Sequence, residues 1–239
     1  MLLFCIFILL MYTWNRPRIQ VIKDPDIILS PGGLLGFYVL GISHFIKNNY
    51  NMKSKKIIGF SAGALNSIFL SMDKKHDDLF LTKLFQLNLH GRMSLPYILK
   101  KTIDLMNSIL HIDMFDTTDK YIAVTTDYSR LVGYDQFLNI KDMTDCCISS
   151  SFIPFVTYYD LFYFYKGKCC MDGGLLYAHY KRSMKGKHIL YLNYTLFKRF
   201  NRYRIPGYSL LKKNYSIYEL YTLGYSDATQ NKSILDAYF

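Results

Sequence analysis

A serine lies between two glycines in the pentapeptide GFSAG at residues 59–63. It follows a short apolar run and precedes a stretch of small residues with the length of a helix. Gly59 and Gly63 stand two residues before and after Ser61, as in a nucleophile elbow, where larger side chains would collide in the tight strand-to-helix turn. The pattern therefore predicts that Ser61 presents its hydroxyl at the N-terminus of a helix, where developing negative charge is favoured.

A second glycine cluster lies one predicted helix earlier, in SPGGLLG at residues 30–36. Consecutive glycines after a strand let backbone N–H groups point into a cavity, which suits a phosphate or an oxyanion. A dinucleotide site is disfavoured, because the glycines fall at Gly32, Gly33 and Gly36 and no ribose-binding acid follows at the expected distance. An ordinary loop with close strand–helix packing is the remaining alternative.

Short apolar runs alternate with helical segments along the chain. The predicted strands lie at 26–30, 56–60, 120–126, 162–171 around a turn at 166–167, and 187–194. The predicted helices lie at 36–49, 62–71, 77–89, 95–110 and within 209–225. Strands separated by helices, with no internal repeat or linker, predict one domain with a three-layer α/β fold and a mainly parallel central sheet.

Charge and cysteine content restrict the class of protein. The formal net charge of +11 favours an anionic partner, but no basic run, zinc-finger spacing or RNP-like motif points to nucleic acid. The five cysteines include two adjacent pairs, Cys146–Cys147 and Cys169–Cys170, and no C-x-x-C. This pattern resembles neither a disulfide framework nor a metal site, so we expect a reducing, intracellular compartment and no metal. The Cys146–Cys147 pair is most simply part of the core.

The N-terminal 14 residues are uninterrupted apolar sequence followed by Arg16 and Arg18. The stretch is shorter than the about 20 residues of a spanning helix. It also lacks the basic n-region and cleavage site of a secretory signal. A membrane anchor, an element buried in the fold and a cleaved signal remain open, with the anchor preferred. We therefore divide the chain into an apolar segment at 1–18 and a domain at 19–239, and we expect association with an anionic membrane surface.

Taken together, the motifs resemble those of the patatin-like phospholipases. The resemblance rests on SPGGLLG at 30–36, GFSAG at 59–63 and DGG at 172–174, in that order. The stretch SSSFIP at 149–154 and the apolar hairpin that leads into DGG are also similar to the family. The likeness covers most of residues 27–174, whereas the basic, tyrosine-rich C-terminal region is less diagnostic.

The resemblance implies a patatin-like lipid acyl hydrolase, of the phospholipase A or acylglycerol esterase type, which needs no cofactor. Ser61 would be the nucleophile, and Asp172 would accept its proton and later activate water. Gly32 and Gly33 would form the oxyanion hole. The glycines expected to support these motifs are Gly36, Gly59, Gly63, Gly173 and Gly174. The implied partners are a phospholipid or acylglycerol substrate and a membrane surface.

Two departures from the family pattern leave alternatives open. Pro31 stands where the family usually has a third glycine, and it has no N–H to donate. Leu35 stands where an arginine or lysine is usual. A catalytically degenerate relative that serves as a membrane or protein adaptor is therefore one alternative.

An α/β-hydrolase esterase is the other alternative, with a triad of Ser61, Asp172 and either His179 or His188 in the required chain order. The elbow lies too early in the chain for the strands that usually precede it in that fold. Asp172 followed by two glycines is also explained better by a Ser–Asp dyad.

Overall fold

The computed structural model describes residues 18–19, 24–200 and 215–239 of the 239-residue chain. The predicted N-terminal anchor at 1–14 lies outside these residues, as does the part of the predicted C-terminal helix at 209–214. Within the described residues, no helix combines the length and the apolar character needed to cross a bilayer.

Strands and helices alternate along most of the described chain. The strands are β1 (Arg18–Ile19), β2 (Ile27–Leu29), β3 (Ile57–Phe60), β4 (Lys120–Thr126), β5 (Arg130–Tyr134), β6 (Tyr163–Tyr165), β7 (Lys168–Met171) and β8 (Leu190–Leu192). The helices are α1 (Gly36–Asn49), α2 (Ala62–Ser71), α3 (Asp77–Gln86), α4 (Leu95–Ile109), α5 (Ile140–Ser151), α6 (Gly174–Ser183), α7 (Ile217–Gln230) and α8 (Lys232–Asp236). A 3-10 turn at Gly33–Leu35 leads into α1.

One mixed sheet holds the described strands in the order β1-β5-β4-β3-β2-β8. The central strands β8, β2, β3 and β4 are parallel, and so are β1 and β5. Antiparallel pairing joins β5 and β7 to β4, and β6 to β7. The predicted α/β class with a mostly parallel central sheet is confirmed.

Apolar side chains cover both faces of the sheet. Along β3, Ile57 packs in the larger core with α1, α2, α4 and α5, whereas Ile58 packs in a smaller core with α6. The parallel strands are buried on both sides, so they read as continuous apolar runs and not as alternating ones. Helices on both faces are compatible with the predicted three-layer sandwich.

Several elements differ from the sequence-based expectation. Strand β5 and helices α5 and α6 were not predicted, although each helps to build the region around Asp172. The α5 sequence is rich in aspartate, serine and cysteine, and its apolar face depends on Met143, Cys146 and Cys147. Both cysteines are fully buried, which confirms that the pair belongs to the core. The predicted C-terminal helix begins only at Ile217 in the described residues.

Candidate active site

Two strands that run towards each other along one edge of β4 bring Ser61 and Asp172 together. Strand β3 ends with Phe60 opposite Ala123, and the antiparallel β7 ends with Met171 opposite Thr125. The other edge of β4 is occupied by β5 over this whole stretch. The residues that follow the two strands, Ser61 and Asp172, therefore meet in the gap between the strand ends.

The backbone at Ser61 has the geometry of a nucleophile elbow. Its φ of 55° and ψ of −124° lie in a region that favours glycine, so the serine is held in a strained conformation. A Cβ on Gly59 would lie 2.2 Å from the Gly63 carbonyl oxygen, and one on Gly63 would lie 2.4 Å from the Leu29 carbonyl oxygen. Both contacts are with backbone atoms, so neither position tolerates a larger residue. The steric reason for the G-x-S-x-G pattern is thus present in this fold.

The strain at Ser61 leads to a stability prediction. We expect Ser61→Gly to be about 1–2 kcal/mol more stable than Ser61→Ala, because glycine adopts the required φ and ψ without strain. Both variants lack the hydroxyl, so their difference isolates the backbone term. Urea denaturation of the two variants measures it. A glycine variant that is less stable than the alanine variant would contradict the strained elbow.

The hydroxyl of Ser61 donates a hydrogen bond of 2.7 Å to Oδ2 of Asp172. The other carboxylate oxygen, Oδ1, accepts the Gly174 backbone N–H at 2.6 Å. Thr125 Oγ1 donates to the Asp172 carbonyl oxygen at 3.0 Å and so holds the backbone at this point. The structure thus places the two residues of the expected dyad in direct contact, while their catalytic roles stay predictions.

Burial tunes the carboxylate as a base. Asp172 is only 5% exposed, and loss of hydration raises its pKa to about 6, although the hydrogen bonds from Ser61 and from Gly174 N–H act in the opposite direction. A carboxylate with a higher proton affinity accepts the serine proton more readily than an exposed aspartate does. This environment supplies the strengthening that a base of ordinary aspartate pKa would need.

The raised pKa of Asp172 sets an expected pH dependence. The base must be ionised to accept a proton, so ester hydrolysis should fall tenfold per pH unit below about pH 6. An exposed aspartate would place that fall near pH 4. The measurement is kcat/KM against pH with a water-soluble, uncharged ester. Full activity well below pH 6 would show that Asp172 is not the titrating base.

Ser150 joins the elbow to the aspartate turn. Its Oγ accepts the Ser61 backbone N–H at 2.9 Å and donates to the Ala123 carbonyl oxygen at 2.6 Å. Its own carbonyl oxygen accepts the Gly173 N–H at 2.8 Å. One buried residue of α5 therefore holds both halves of the dyad against β4. In the sequence, Ser150 belongs to the SSSFIP stretch at 149–154, which predicted no role for it.

The Gly32–Gly33 loop lies beside the elbow and leads into α1. Gly33 has a φ of 51° and lines the same cavity as Ser61. Within the described residues, the N–H groups of Gly32 and Gly33 donate no hydrogen bond to any protein group. The Gly33 N–H can therefore bind an oxyanion in this cavity, close to the positive end of the α1 dipole, whereas Gly32 precedes it in the loop and is not among the lining residues.

The loop is tied to the elbow helix by Asn66 of α2. Its Nδ2 donates to the carbonyl oxygens of Gly36 and Ala62, at 3.1 and 3.0 Å. A Cβ on Gly36 would lie 2.7 Å from the Cβ of Ala62, so the two helix starts touch. Leu35 is fully buried in the core, which leaves no cation at the position where the family usually carries one.

The turn after β7 also has little room. A Cβ on Gly173 would lie 2.1 Å from the Ala123 carbonyl oxygen, and one on Gly174 would lie 2.7 Å from Asp172 Oδ1. Pro31, in the glycine loop before α1, packs against Gly174. The DGG sequence thus lets the carboxylate approach both β4 and the glycine loop.

An apolar cavity opens beside Ser61. It encloses about 70 Å³ and is lined mainly by side chains of α1, α2 and α4, with Ser61, Thr102, Ser151 and Thr157 as its polar members. A second cavity of about 60 Å³ adjoins it through the shared residues Phe37, Leu65 and Thr102, and reaches Met72 and Phe115. The lining is predominantly apolar, as expected for a site that holds a hydrocarbon chain.

Ser151 offers a polar group inside this apolar space, although the sequence predicted no role for it. The residue is buried, and its Oγ has no hydrogen-bond partner among the described residues. An unpaired buried hydroxyl is costly unless something binds it, so Ser151 is suited to contact a substrate oxygen or the attacking water. The run of three serines at 149–151 was the only sequence signal for Ser150 and Ser151.

The histidines do not join the dyad. Of the hydrogen bonds formed by the described residues, none links a histidine to Ser61 or Asp172. His188 precedes β8, at the opposite end of the parallel strands, and its Nε2 lies 3.0 Å from the Ala237 carbonyl oxygen. His179 lies within α6 and is half-buried. The geometry therefore favours a dyad over a triad.

The chain matches no protein-family model, no curated protein and no solved structure. Within residues 18–19, 24–200 and 215–239, there is also no group of three or more His, Cys, Asp or Glu side chains placed to hold a metal ion.

Proposed function

We propose that the protein is a patatin-like lipid acyl hydrolase that cleaves phospholipid or acylglycerol esters through a Ser–Asp dyad. The observation that carries this proposal is the 2.7 Å hydrogen bond from Ser61 Oγ, on a strained elbow, to the buried Asp172. A strained serine bound to a carboxylate of raised pKa lowers the stability of the fold. Nucleophilic catalysis accounts for the presence of such an arrangement.

In the acylation step, Ser61 Oγ attacks the ester carbonyl carbon as its proton passes to Oδ2 of Asp172. The negative charge that develops on the carbonyl oxygen is bound by the N–H groups of Gly32 and Gly33. Collapse of this intermediate breaks the bond to the alcohol, which leaves with the proton from Asp172. The acyl group is then an ester of Ser61.

Deacylation uses the same groups in the same places. A water molecule gives its proton to Asp172 while its oxygen attacks the acyl carbonyl carbon. The second tetrahedral intermediate uses the same two N–H groups, and its collapse releases the fatty acid. The proton on Asp172 returns to Ser61 Oγ. Since one carboxylate serves both steps, no histidine is required.

The apolar cavity supports an acyl chain as the group bound next to Ser61. The two adjoining cavities are lined mainly by leucine, isoleucine, methionine and phenylalanine side chains. Each buried methylene contributes about 0.8 kcal/mol, so even a few carbons placed there raise affinity strongly. Short acyl esters, which leave most of the cavity unfilled, should be poorer substrates.

The test is acyl release by the purified full chain from phospholipids, acylglycerols and soluble esters of increasing acyl length, with Ser61→Ala as the control. We expect release that depends on Ser61, with kcat/KM rising from acetyl to longer acyl esters. No Ser61-dependent release from any of these esters would contradict the proposal and favour the adaptor alternative.

A further inference from the structure

The segment that leads from α5 to β6, with β6 itself, exposes a set of large apolar side chains. They are between 40% and 72% exposed. We call this set the aromatic rim, and it consists of Phe155, Val156, Tyr159, Leu161, Phe162 and Phe164. Single exposed apolar residues are ordinary, but six within ten positions mark an interaction surface.

The segment is held in place by packed aromatic rings, so the exposure of the rim is a property of the folded protein. Phe152, Tyr158 and Tyr163 pack against one another with ring centroids 5.7–6.3 Å apart and anchor the segment to the protein. Phe155 has a φ of 59°, a conformation in which bulky residues are uncommon. Anchored aromatic rings from the same segment thus accompany the exposed ones, and no described element covers the rim.

The aromatic rim adjoins the entrance to the candidate active site. Thr157, between Val156 and Tyr159, lines the cavity that contains Ser61. Its Oγ1 accepts the Ile153 N–H at 2.8 Å and donates to the Ser151 carbonyl oxygen at 2.5 Å. A surface that binds the rim would therefore lie next to the cavity that contains Ser61.

Cations flank the aromatic rim. Lys166 directly follows β6, its Nζ lies 5.2 Å from the centroid of the Tyr165 ring, and its side chain is 42% exposed. Lys100 of α4 and Lys141 of α5 have side chains that are 69% and 73% exposed. Each pairs with an acid one helical turn away, Asp104 or Asp145. The acid within the rim segment is Asp160, against a net charge of +11 for the chain. Apolar rings bordered by exposed lysines fit the interface of an anionic bilayer, where aromatic rings sit at headgroup level.

We propose that the aromatic rim inserts into the interfacial layer of an anionic phospholipid membrane and so places the mouth of the Ser61 cavity on the lipid surface. This inference rests on the proposed function, because an acyl hydrolase for membrane lipids must draw its substrate from a bilayer. It assigns the membrane contact to residues 155–164, which are distinct from the apolar N-terminal segment at 1–18.

The first experiment places a fluorescent reporter on the rim. Trp14 is the single tryptophan, so the full chain carrying Trp14→Phe, Ser61→Ala and Phe162→Trp reports on position 162 alone. We expect a blue shift on addition of phosphatidylcholine vesicles that contain phosphatidylglycerol, and quenching by brominated lipid. A matched chain with Tyr218→Trp in place of Phe162→Trp, on the exposed side of α7, should show neither.

The second experiment removes the rim in an otherwise active chain. Phe155→Ser, Phe162→Ser and Phe164→Ser combined should weaken binding to the same vesicles on the order of 100-fold. Hydrolysis of a short soluble ester should be retained, because none of the three residues lines the cavity. The matched control replaces three residues of similar exposure elsewhere, Leu79, Tyr218 and Ile234, by serine and should bind as the wild type does.

The outcomes separate this inference from the proposed function, because the reporter chain lacks Ser61 and needs no hydrolysis. Vesicle binding without a shift at position 162 would overturn the inference, whatever the activity. A shift without lipid that grows with protein concentration would assign the rim to a second copy of the chain. Equal shifts with pure phosphatidylcholine would overturn the choice of an anionic surface.

Discussion

Replacing Ser61 by alanine should lower ester hydrolysis by about 10⁴-fold or more and leave the fold unchanged. The hydroxyl is the proposed nucleophile, and alanine keeps the Cβ and the helix start at α2. The loss should be in kcat, since the apolar cavity proposed to bind the acyl chain is intact. Initial rates with a soluble ester, together with circular dichroism and thermal unfolding, measure both halves of this expectation.

A matched control for this variant is Ser67→Ala, six residues further along α2. Ser67 is buried, and its hydroxyl donates only to the Ala64 carbonyl oxygen at 2.8 Å, so its loss should leave the rate near that of the wild type. If Ser61→Ala kept a substantial part of the wild-type rate, the nucleophile would have to be a different residue.

Asp172→Asn should lower the rate by about 10³–10⁴-fold, because an amide cannot accept the serine proton. The same change should stabilise the fold at neutral pH. A pKa raised to about 6 by burial corresponds to a destabilisation of about 3 kcal/mol by the ionised side chain above that pH. The penalty vanishes as pH falls below the unfolded pKa near 4, because the carboxyl is then protonated in both states.

The measurement compares kcat and melting temperature for the wild type and Asp172→Asn at neutral and at acidic pH. The gain in melting temperature should be present at neutral pH and shrink towards pH 4. The variants His179→Ala and His188→Ala, alone and combined, should keep most activity. A histidine variant as inactive as Asp172→Asn would replace the dyad with a triad.

The elbow could be predicted because its cause is local. A Cβ on Gly59 would collide with the start of the helix that follows it directly in sequence. A Cβ on Gly63 would collide with Leu29, which lies on the neighbouring strand. The buried parallel strands were also predictable, since their two covered faces leave a plain apolar signature in the sequence.

The elements around Asp172 were harder to predict because their stability depends on distant partners. Strand β5 follows a turn in which Asp127 and Tyr128 adopt positive φ without glycine, so no turn signal separated it from β4. Ser150 acquires its role by contacting Ala123 and Ser61, which are 27 and 89 positions away. The aromatic rim likewise shows itself only once burial is known, because its residues read as ordinary apolar sequence.

Ser61 should carry the acyl group during turnover, and this can be measured as the mass of the protein quenched in acid while it hydrolyses an activated long-chain ester. We expect one added acyl group, mapped by peptide fragmentation to Ser61 and absent from Ser61→Ala. An acyl group on another residue, or rapid turnover with no covalent adduct under any quench time, would contradict it.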